Sequence, residues 1–276
     1  MVAVITLTTD FGMTDAYVAA MKGVILGINP EAKLVDICHS IRPQDIRHAA
    51  FILGTAHTFF PAGTIHMVVV DPGVGTDRRA IIISTPSAQF VAPDNGVLSH
   101  VITQSSAKGG ENYADRTQIE LPPGLEAVAI TESKYWRSPV SPTFHGRDIF
   151  SPVAARLSLG CPASDFGEPV TSVVMLPPLH PQLTANNILV GHILHIDNFG
   201  NLITNIRNDD LSQEMTSITI EIGHQLIYGM GQTYADREGL SALIGSFGYL
   251  EIAVKDGNAA SLLNAEIGDE VKVRLR

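Results

Sequence analysis

Cysteine is scarce in this 276-residue chain: Cys38 and Cys161 are the only two. That excludes a disulfide framework and a thiolate metal cluster, and both read as buried thiols. Charge is scarce too, at 17% against the usual ~25%, which points to a partner subunit covering part of the surface. The charge present is acidic, with a formal net of −10, and no Lys/Arg cluster stands out. Nucleic acid and anionic membranes are therefore not expected partners. No apolar run approaches the ~20 residues of a membrane span. The start, "MVAVITLTTDFG", has no basic region ahead of its apolar residues, so no signal peptide is expected and a cytoplasmic location is. The ten histidines are scattered without His-x-x-x-His or His-Glu-x-x-His spacing, and Cys-x-x-Cys is missing, so no metal is expected. A Gly-Lys-Ser/Thr phosphate loop, a Gly-x-Ser-x-Gly elbow and internal repeats are missing as well.

What is present alternates. Val2–Leu7 is a β-branched strand, and Asp15–Asn29 a helix with Thr14 as a cap and Asn29-Pro30 as its end. Lys33–Cys38 is a strand. Arg42–Phe60 is a helix with Pro43 in its first turn and Ile46, Ala49, Ala50, Leu53 and Phe60 on one face. Thr64–Val70, Ala80–Thr85 and Gln89–Pro93 are strands, with helices around Val97–Ile102 and Phe150–Leu159. This order predicts an α/β domain of Rossmann-like type with a mostly parallel sheet, over residues 1–174. Residues 104–143, with Gly109-Gly110 and several prolines, read as an excursion from the sheet, with one strand near Glu126–Ile130. A proline-rich linker is expected at 175–185. Beyond it, 186–276 holds dense short strands separated by Gly, Asn and Asp, which predicts a smaller all-β, barrel-like domain.

Several stretches place chemistry-bearing residues at element ends. In "TTDFGMTD", Asp10 ends the first strand and Asp15 opens the helix. A carboxylate there suits a ribose diol, or it is a loop acid with a helix cap. An aspartyl-nucleophile phosphatase would carry a second Asp where Gly12 stands. In "MVVVDPGVGTDRR", a buried strand ends on Asp71, and Gly73 and Gly75 allow close backbone approach. The stretch reads equally as a tight turn. "TFHGRDIFSPVAA" puts His145 just before a helix, where it is either structural or a site residue. "HIDNFGNLITN" makes a hairpin turn whose Asp197 and Asn201 could meet an ammonium and a base edge. "GSFGYLEIAVKDGNAASLL" adds a Ser-Phe-Gly turn, Ser246 and Phe247, before a strand.

Taken in order, "TTDFGMTDAYVAAMKGVI", "VVVDPGVGT-RR", "APDNGVLS", "TFHGRDIFSPVAA", "IDNFGNLITNI" and "GSFGYLEIAVKDGNAA" resemble the adenosine-forming S-adenosyl-L-methionine (SAM) hydrolases. These are the SAM hydroxide adenosyltransferases, relatives of the fluorinase and chlorinase. The resemblance implies a homotrimer whose active sites lie between the N-terminal domain of one subunit and the C-terminal domain of the next. It implies a catalytic set of Asp71, Arg78 and His145, with Arg79 adjacent, so that the sequence leaves open which arginine faces Asp71. For substrate binding it implies Asp10 on the ribose diol, with Asp15 in the same motif. Asp197 and Asn201 would hold the methionine amino group and adenine, Ser246 would contact the methionine with Phe247 a further substrate-binding residue beside it, Glu251 and Val254 would lie along the adenosine, and Tyr234 would sit against the adenine. SAM is then the substrate, adenosine a product, and neither a metal nor a cofactor is needed. The halogenases carry a Tyr in place of Asp71 and a Ser in place of Gly146, which favours water over halide. A non-catalytic adenosine or SAM sensor would not need Asp71, Arg78 and His145 together.

Overall fold

Met67 and Val69 face one side of a sheet and Val68 and Val70 the other, as successive strand residues must. All four are buried, so this strand has no wet face and belongs inside a covered sheet. A computed structural model, describing residues 3–105, 115–211, 218–236 and 238–274, places it there. The chain forms two compact units, Met1–Pro178 and Leu179–Arg276.

The first unit contains strands β1 (Val4–Thr9), β2 (Lys33–Cys38), β3 (Thr64–Val69), β4 (Ala80–Ser84), β5 (Ala88–Pro93), β6 (Thr117–Glu120), β7 (Glu126–Ala129) and β8 (Ser172–Met175). Six of them form one sheet in the order β2-β1-β3-β5-β4-β7. Pairing is parallel from β2 to β5, and β4 is antiparallel to both its neighbours, so β4 alone runs the other way. Helices α1 (Tyr17–Ile28) and α4 (Ser151–Ser158) cover one face, packing Met21, Ile25 and Val153 on Ile5, Leu7 and Met67. Helices α2 (Ile46–Ala56) and α3 (Ser99–Gln104) cover the other with Ala49, Leu53 and Val101 against Val68 and Ile81. From β1 the chain winds one way to β2 and the opposite way to β3. Doubly wound sheets bind ligands at this switch, beyond the carboxyl ends of the strands.

Several expectations need correction. α1 begins at Tyr17, so Asp15 stands exposed ahead of it, and neither Asp15 nor Thr14 caps the helix. α2 begins at Ile46 because Gln44 adopts φ +64°, which no right-handed helix admits. Asp45 is the cap, accepting from the His48 N–H at 2.9 Å, and Pro43 lies outside the helix. Both cysteines are half-buried and free. In the 104–143 excursion the strand expected near Glu126–Ile130 is there as β7, joined to the main sheet, and the unexpected addition is β6, which pairs antiparallel with β8. Gly109-Gly110 lies outside the described residues. The proline-rich stretch is not a free tether at its start, because Leu176 is buried and its N–H donates to Ser99 Oγ at 2.8 Å. His66, inside β3, lies 2.8 Å from Thr6 Oγ1 and stacks on Phe90. Burial pushes its pKa down to about 3, so it is neutral core filling.

In the second unit, β9 (Gln182–Leu183), β10 (Ile188–Ile196), β11 (Leu202–Arg207), β12 (Thr219–Ile222), β13 (Gln225–Tyr228), β14 (Leu240–Ile244), β15 (Tyr249–Val254) and β16 (Glu270–Arg274) are all antiparallel, with the short helix α5 (Ala259–Leu263) between the last two strands. β10 serves two sheets, pairing with β16 through Ile188–His192 and with β11 through Ile193–Ile196. The path β13-β12-β16-β10-β11-β15-β14 thereby curls into a nearly closed barrel around Ile193, Leu202, Ile220, Leu250 and Val273. The Gly231 N–H, 2.8 Å from the Ala242 carbonyl, helps draw its edges together. β9 and β13 were not expected from the sequence. Among the described residues, no helix is long and apolar enough to cross a membrane.

Candidate active site

β1 and β3 are parallel neighbours, with Thr9 opposite Val69. Asp10 and Asp71 therefore leave the sheet at the same edge, at the switch point, from strands about 4.8 Å apart. After Asp71 the chain turns twice: Val74 N–H bonds the Asp71 carbonyl and Thr76 N–H the Gly73 carbonyl, each at 3.1 Å. These turns bring Arg78 back onto Asp71. Its Nε donates to both carboxylate oxygens, at 2.9 and 3.0 Å, and its Nη2 to Oδ2 at 2.5 Å. The two side chains are only 5% and 11% exposed, which makes this a desolvated, charge-assisted pair. Arg79 turns away. It pairs with buried Asp94 and donates to the Ser172 carbonyl at 2.8 Å. The open choice between the two arginines is settled by this geometry: Arg78 faces Asp71.

Gly75 has φ +78°, and a Cβ on it would lie 2.6 Å from the Pro142 carbonyl oxygen. Glycine therefore lets the Asp71–Arg79 loop close on the segment that carries His145. Arg78 Nη2 reaches His145 Nδ1 at 2.8 Å, so one guanidinium bridges both other groups. Because an arginine only donates, Nδ1 must accept, and the imidazole proton sits on Nε2. Burial and the Arg78 charge lower the His145 pKa, outweighing the opposing pull of Asp71 and Asp148. His145 is thus held neutral. It is followed by a wide π-type turn, Gly146–Phe150, that runs into α4.

Two features hold the site together that sequence reasoning missed. Phe11, beside Asp10, packs edge-on against Phe144, beside His145, with centroids 5.8 Å apart, and Tyr17 touches both rings. Fully buried Asp148 accepts from Arg147 at 2.7 and 2.8 Å and from the Ser141 N–H at 2.9 Å, fixing the loop ahead of His145. Burial works to raise the Asp148 pKa, but Arg147, the Ser141 N–H and Arg137 outweigh it and hold the group below the usual carboxylate range. Asn95 adds a further support, donating at 2.9 Å to the Val70 carbonyl just before Asp71. The motif "APDNGVLS" displayed Asn95, but spacing gave it no role.

The remaining predicted residues lie in the second unit. Asp197 accepts from Phe199 N–H, Asn201 N–H and Asn201 Nδ2, each at 2.9 Å. Tyr234 donates to Glu251 Oε1 at 2.6 Å. Burial raises the Glu251 pKa, and the Asp197 charge raises it further against the Tyr234 bond. Burial and Glu251 likewise raise that of Tyr234. Asp197, Glu251 and Tyr234 thus form one electrostatic group suited to a cation. Val254 ends β15, half-buried. Ser246 and Phe247 are exposed on the β14–β15 turn. By register, that turn and the Asp197–Asn201 turn sit at opposite ends of the β11–β15 pair, so the structure does not gather them into one cluster.

Nearly the whole chain matches known proteins. A family model described as the SAM hydroxide adenosyltransferase N-terminal domain matches residues 5–167, and one for the C-terminal domain matches 191–272. The chain belongs to the SAM hydroxide adenosyltransferase family. Within that family it is 36% identical to a protein from Salinispora tropica named (R)-S-adenosyl-L-methionine hydrolase, over 98% of this chain and 97% of that one. A relative of the same name from Methanocaldococcus jannaschii is 34% identical, over 98% and 95%. An uncharacterized conserved protein from Thermotoga maritima superposes with a TM-score of 0.86 at 34% identity, covering 98% of this chain and 99% of that one. Proteins named fluorinase stand further off, at 27% identity for one from Nocardia brasiliensis, over 99% and 97%.

Proposed function

We propose that this SAM hydroxide adenosyltransferase family member hydrolyses SAM to adenosine and L-methionine by in-line attack of water on the ribose C5′. The observation that carries this reading is the bridge made by Arg78 between Asp71 and neutral His145, beside Asp10 at the switch point. The names of the similar hydrolases support it.

The residues account for the chemistry. A sulfonium leaves as a neutral thioether, so no acid is required at the leaving group. The demand is on the water, which needs an acceptor for its proton and a fixed direction. A carboxylate offers about four lone-pair sites. Arg78 occupies three on Asp71, leaving one for a water O–H. With its proton on Nε2, His145 offers a donor to the water oxygen. Asp71 then accepts, His145 donates, and Arg78 fixes both. Asp10 would hold the ribose diol, and the Asp197–Glu251 group would draw the ammonium and sulfonium charges. Asn201, Tyr234, Ser246, Phe247 and Val254 remain substrate contacts in this proposal, as does Asp15 at the mouth of the Asp10 loop. No step calls on a metal or cofactor.

A halide would meet the Asp71 charge directly, which disfavours the halogenase reading. A Cβ on Gly146 would also stand 3.2 Å from Met21 Sδ and 3.3 Å from Val69 Cγ1, so a Ser there fits only if its neighbours give way. The test is incubation of the pure protein with resolved R and S sulfonium epimers of SAM, with and without chloride. Equal amounts of adenosine and methionine, independent of chloride and faster for the R epimer that the relatives' names specify, are expected. Intact SAM or a 5′-chlorinated nucleoside overturns the proposal.

The proposed binding residues fall in both units, and family resemblance supports a homotrimer in which the N-terminal unit of one subunit serves with the C-terminal unit of its neighbour. Co-expressing Asp71→Asn with Asp197→Ala chains is then expected to restore part of the turnover that each lacks alone. No recovery in mixed assemblies counts against shared sites. Two free thiols suit a reducing compartment, which supports a cytoplasmic location.

A further inference from the structure

His39 follows β2 and lies outside the Asp71–Arg78–His145 set, yet its ring and its main chain both reach the loop that carries Asp10. It is 5% exposed. Its Nε2 lies 3.0 Å from Asp36 Oδ1, and Lys22 Nζ holds the other Asp36 oxygen at 2.6 Å. The two are close without the alignment of a hydrogen bond, and the carboxylate charge facing Nε2 favours the imidazole proton there, which leaves Nδ1 as an acceptor. Thr9 Oγ1 stands 2.8 Å from Nδ1. That oxygen already accepts from the Phe11 N–H at 3.2 Å, which leaves its own proton to give to His39. On the main chain, the His39 carbonyl accepts from the Gly12 N–H at 2.8 Å. The residues on both sides of Asp10 are therefore tied to His39, one through its ring and one through its backbone.

Asp10 itself has one oxygen engaged: Oδ2 accepts from the Gln44 N–H at 2.8 Å. Gln44 presents that N–H from a left-handed conformation, φ +64°, that a non-glycine residue adopts only at a cost. A carboxylate pinned at one oxygen, on a peptide fixed on both sides, can keep its second oxygen on one bearing. A vicinal diol requires this, because its two hydroxyls must meet two acceptor sites of fixed separation.

We propose that His39 is a positioning residue for ribose recognition, acting through Thr9 and Gly12 to aim the Asp10 carboxylate, with the Asp36 charge biasing its tautomer. The inference rests on the reading of Asp10 as the ribose-diol carboxylate. Loss of His39 is therefore expected to blunt discrimination at the 2′ and 3′ positions rather than binding in general.

The experiment is calorimetric titration of adenosine and of 2′,3′-dideoxyadenosine into the full-length protein. For the wild type, a preference of about ten- to a hundredfold for adenosine is expected from hydrogen bonds to a charged acceptor. His39→Ala is expected to cut that preference severalfold while dideoxyadenosine affinity stays put. His39→Asn, whose amide oxygen can stand where Nδ1 does, is expected to recover most of it. In an Asp10→Asn background, His39→Ala is expected to add nothing. Should His39→Ala fail to fold, Asp36→Ala, altered at a side chain that is 35% exposed, removes the charge that biases the His39 tautomer and is expected to shift the preference in the same direction. An unchanged preference in the folded variants overturns the role of His39 and leaves that of Asp10 standing. No preference in the wild type overturns the reading of Asp10 itself.

Discussion

Asp71→Asn is expected to bind SAM and fail to turn it over. Loss of a positioned base typically costs about 10²–10⁴ in rate, and kcat is expected to fall by that much, with KM changed only a few fold. The asparagine has the right size and the wrong chemistry. It keeps one acceptor oxygen, turns an N–H₂ toward Arg78, and cannot take a proton from water. The change also strands a charge, since Arg78 at 11% exposure loses its counter-ion. Breaking a buried pair this way costs about 3–5 kcal/mol. Turnover must accordingly be measured well below a lowered melting temperature. Single-turnover kinetics against equilibrium SAM binding separates the two effects, and turnover equal to the wild type would falsify the role given to Asp71.

The adjacent arginines are expected to fail in opposite ways. Arg78→Ala removes the donor shared by Asp71 and His145, frees the tautomer of the imidazole, and should lower kcat by about 10²–10³, as loss of a preorganised donor does elsewhere. Arg79→Ala leaves the Asp94 carboxylate, 2% exposed, without its partner. That should cost about 3–5 kcal/mol of stability, or roughly 10 °C in Tm for a unit of this size. Molecules that remain folded should retain kcat within a few fold. Thermal melts and kcat measured on both variants check the pair, and an Arg79→Ala enzyme that is stable but inactive would reverse the assignment.

The parts of the fold that were legible were those where burial writes a period. β2 stands at its expected bounds, and the buried run before Asp71 announced a central strand. What escaped had no such signature. β9 is two residues long and β13 is largely exposed, so neither shows an apolar alternation. The start of α2 was misplaced because the left-handed turn at Gln44 leaves no mark in residue type. Asp71, Arg78 and His145 were legible as residues and motifs, while their arrangement was not. Adjacent residues entering a strand point to opposite sides, so the separation of Arg78 from Arg79 depends on side-chain direction, which sequence does not record. His39 was hidden for a related reason. Its bond to Thr9 exists because β2 lies beside β1 with Cys38 opposite Thr8, and that pairing is a property of the assembled sheet.

The reversed strand β4 has a bearing on where new chemistry could arise in this scaffold. A parallel successor to β3 would have to be entered from the far rim, at the end of a long crossover. Because β4 runs backwards, the chain departs at Asp71 and re-enters at Ala80 on the same rim, with Ala80 paired to Pro93 at the end of β5. The segment between is a handle attached at both ends to one lip of the sheet. Changes in it need not re-thread a helix or move a strand, provided that Gly75 keeps its close approach to Pro142 and the turns still return Arg78 to Asp71. An exchange of residues 72–77 that keeps Gly75 is thus a graft anchored on one rim of the sheet.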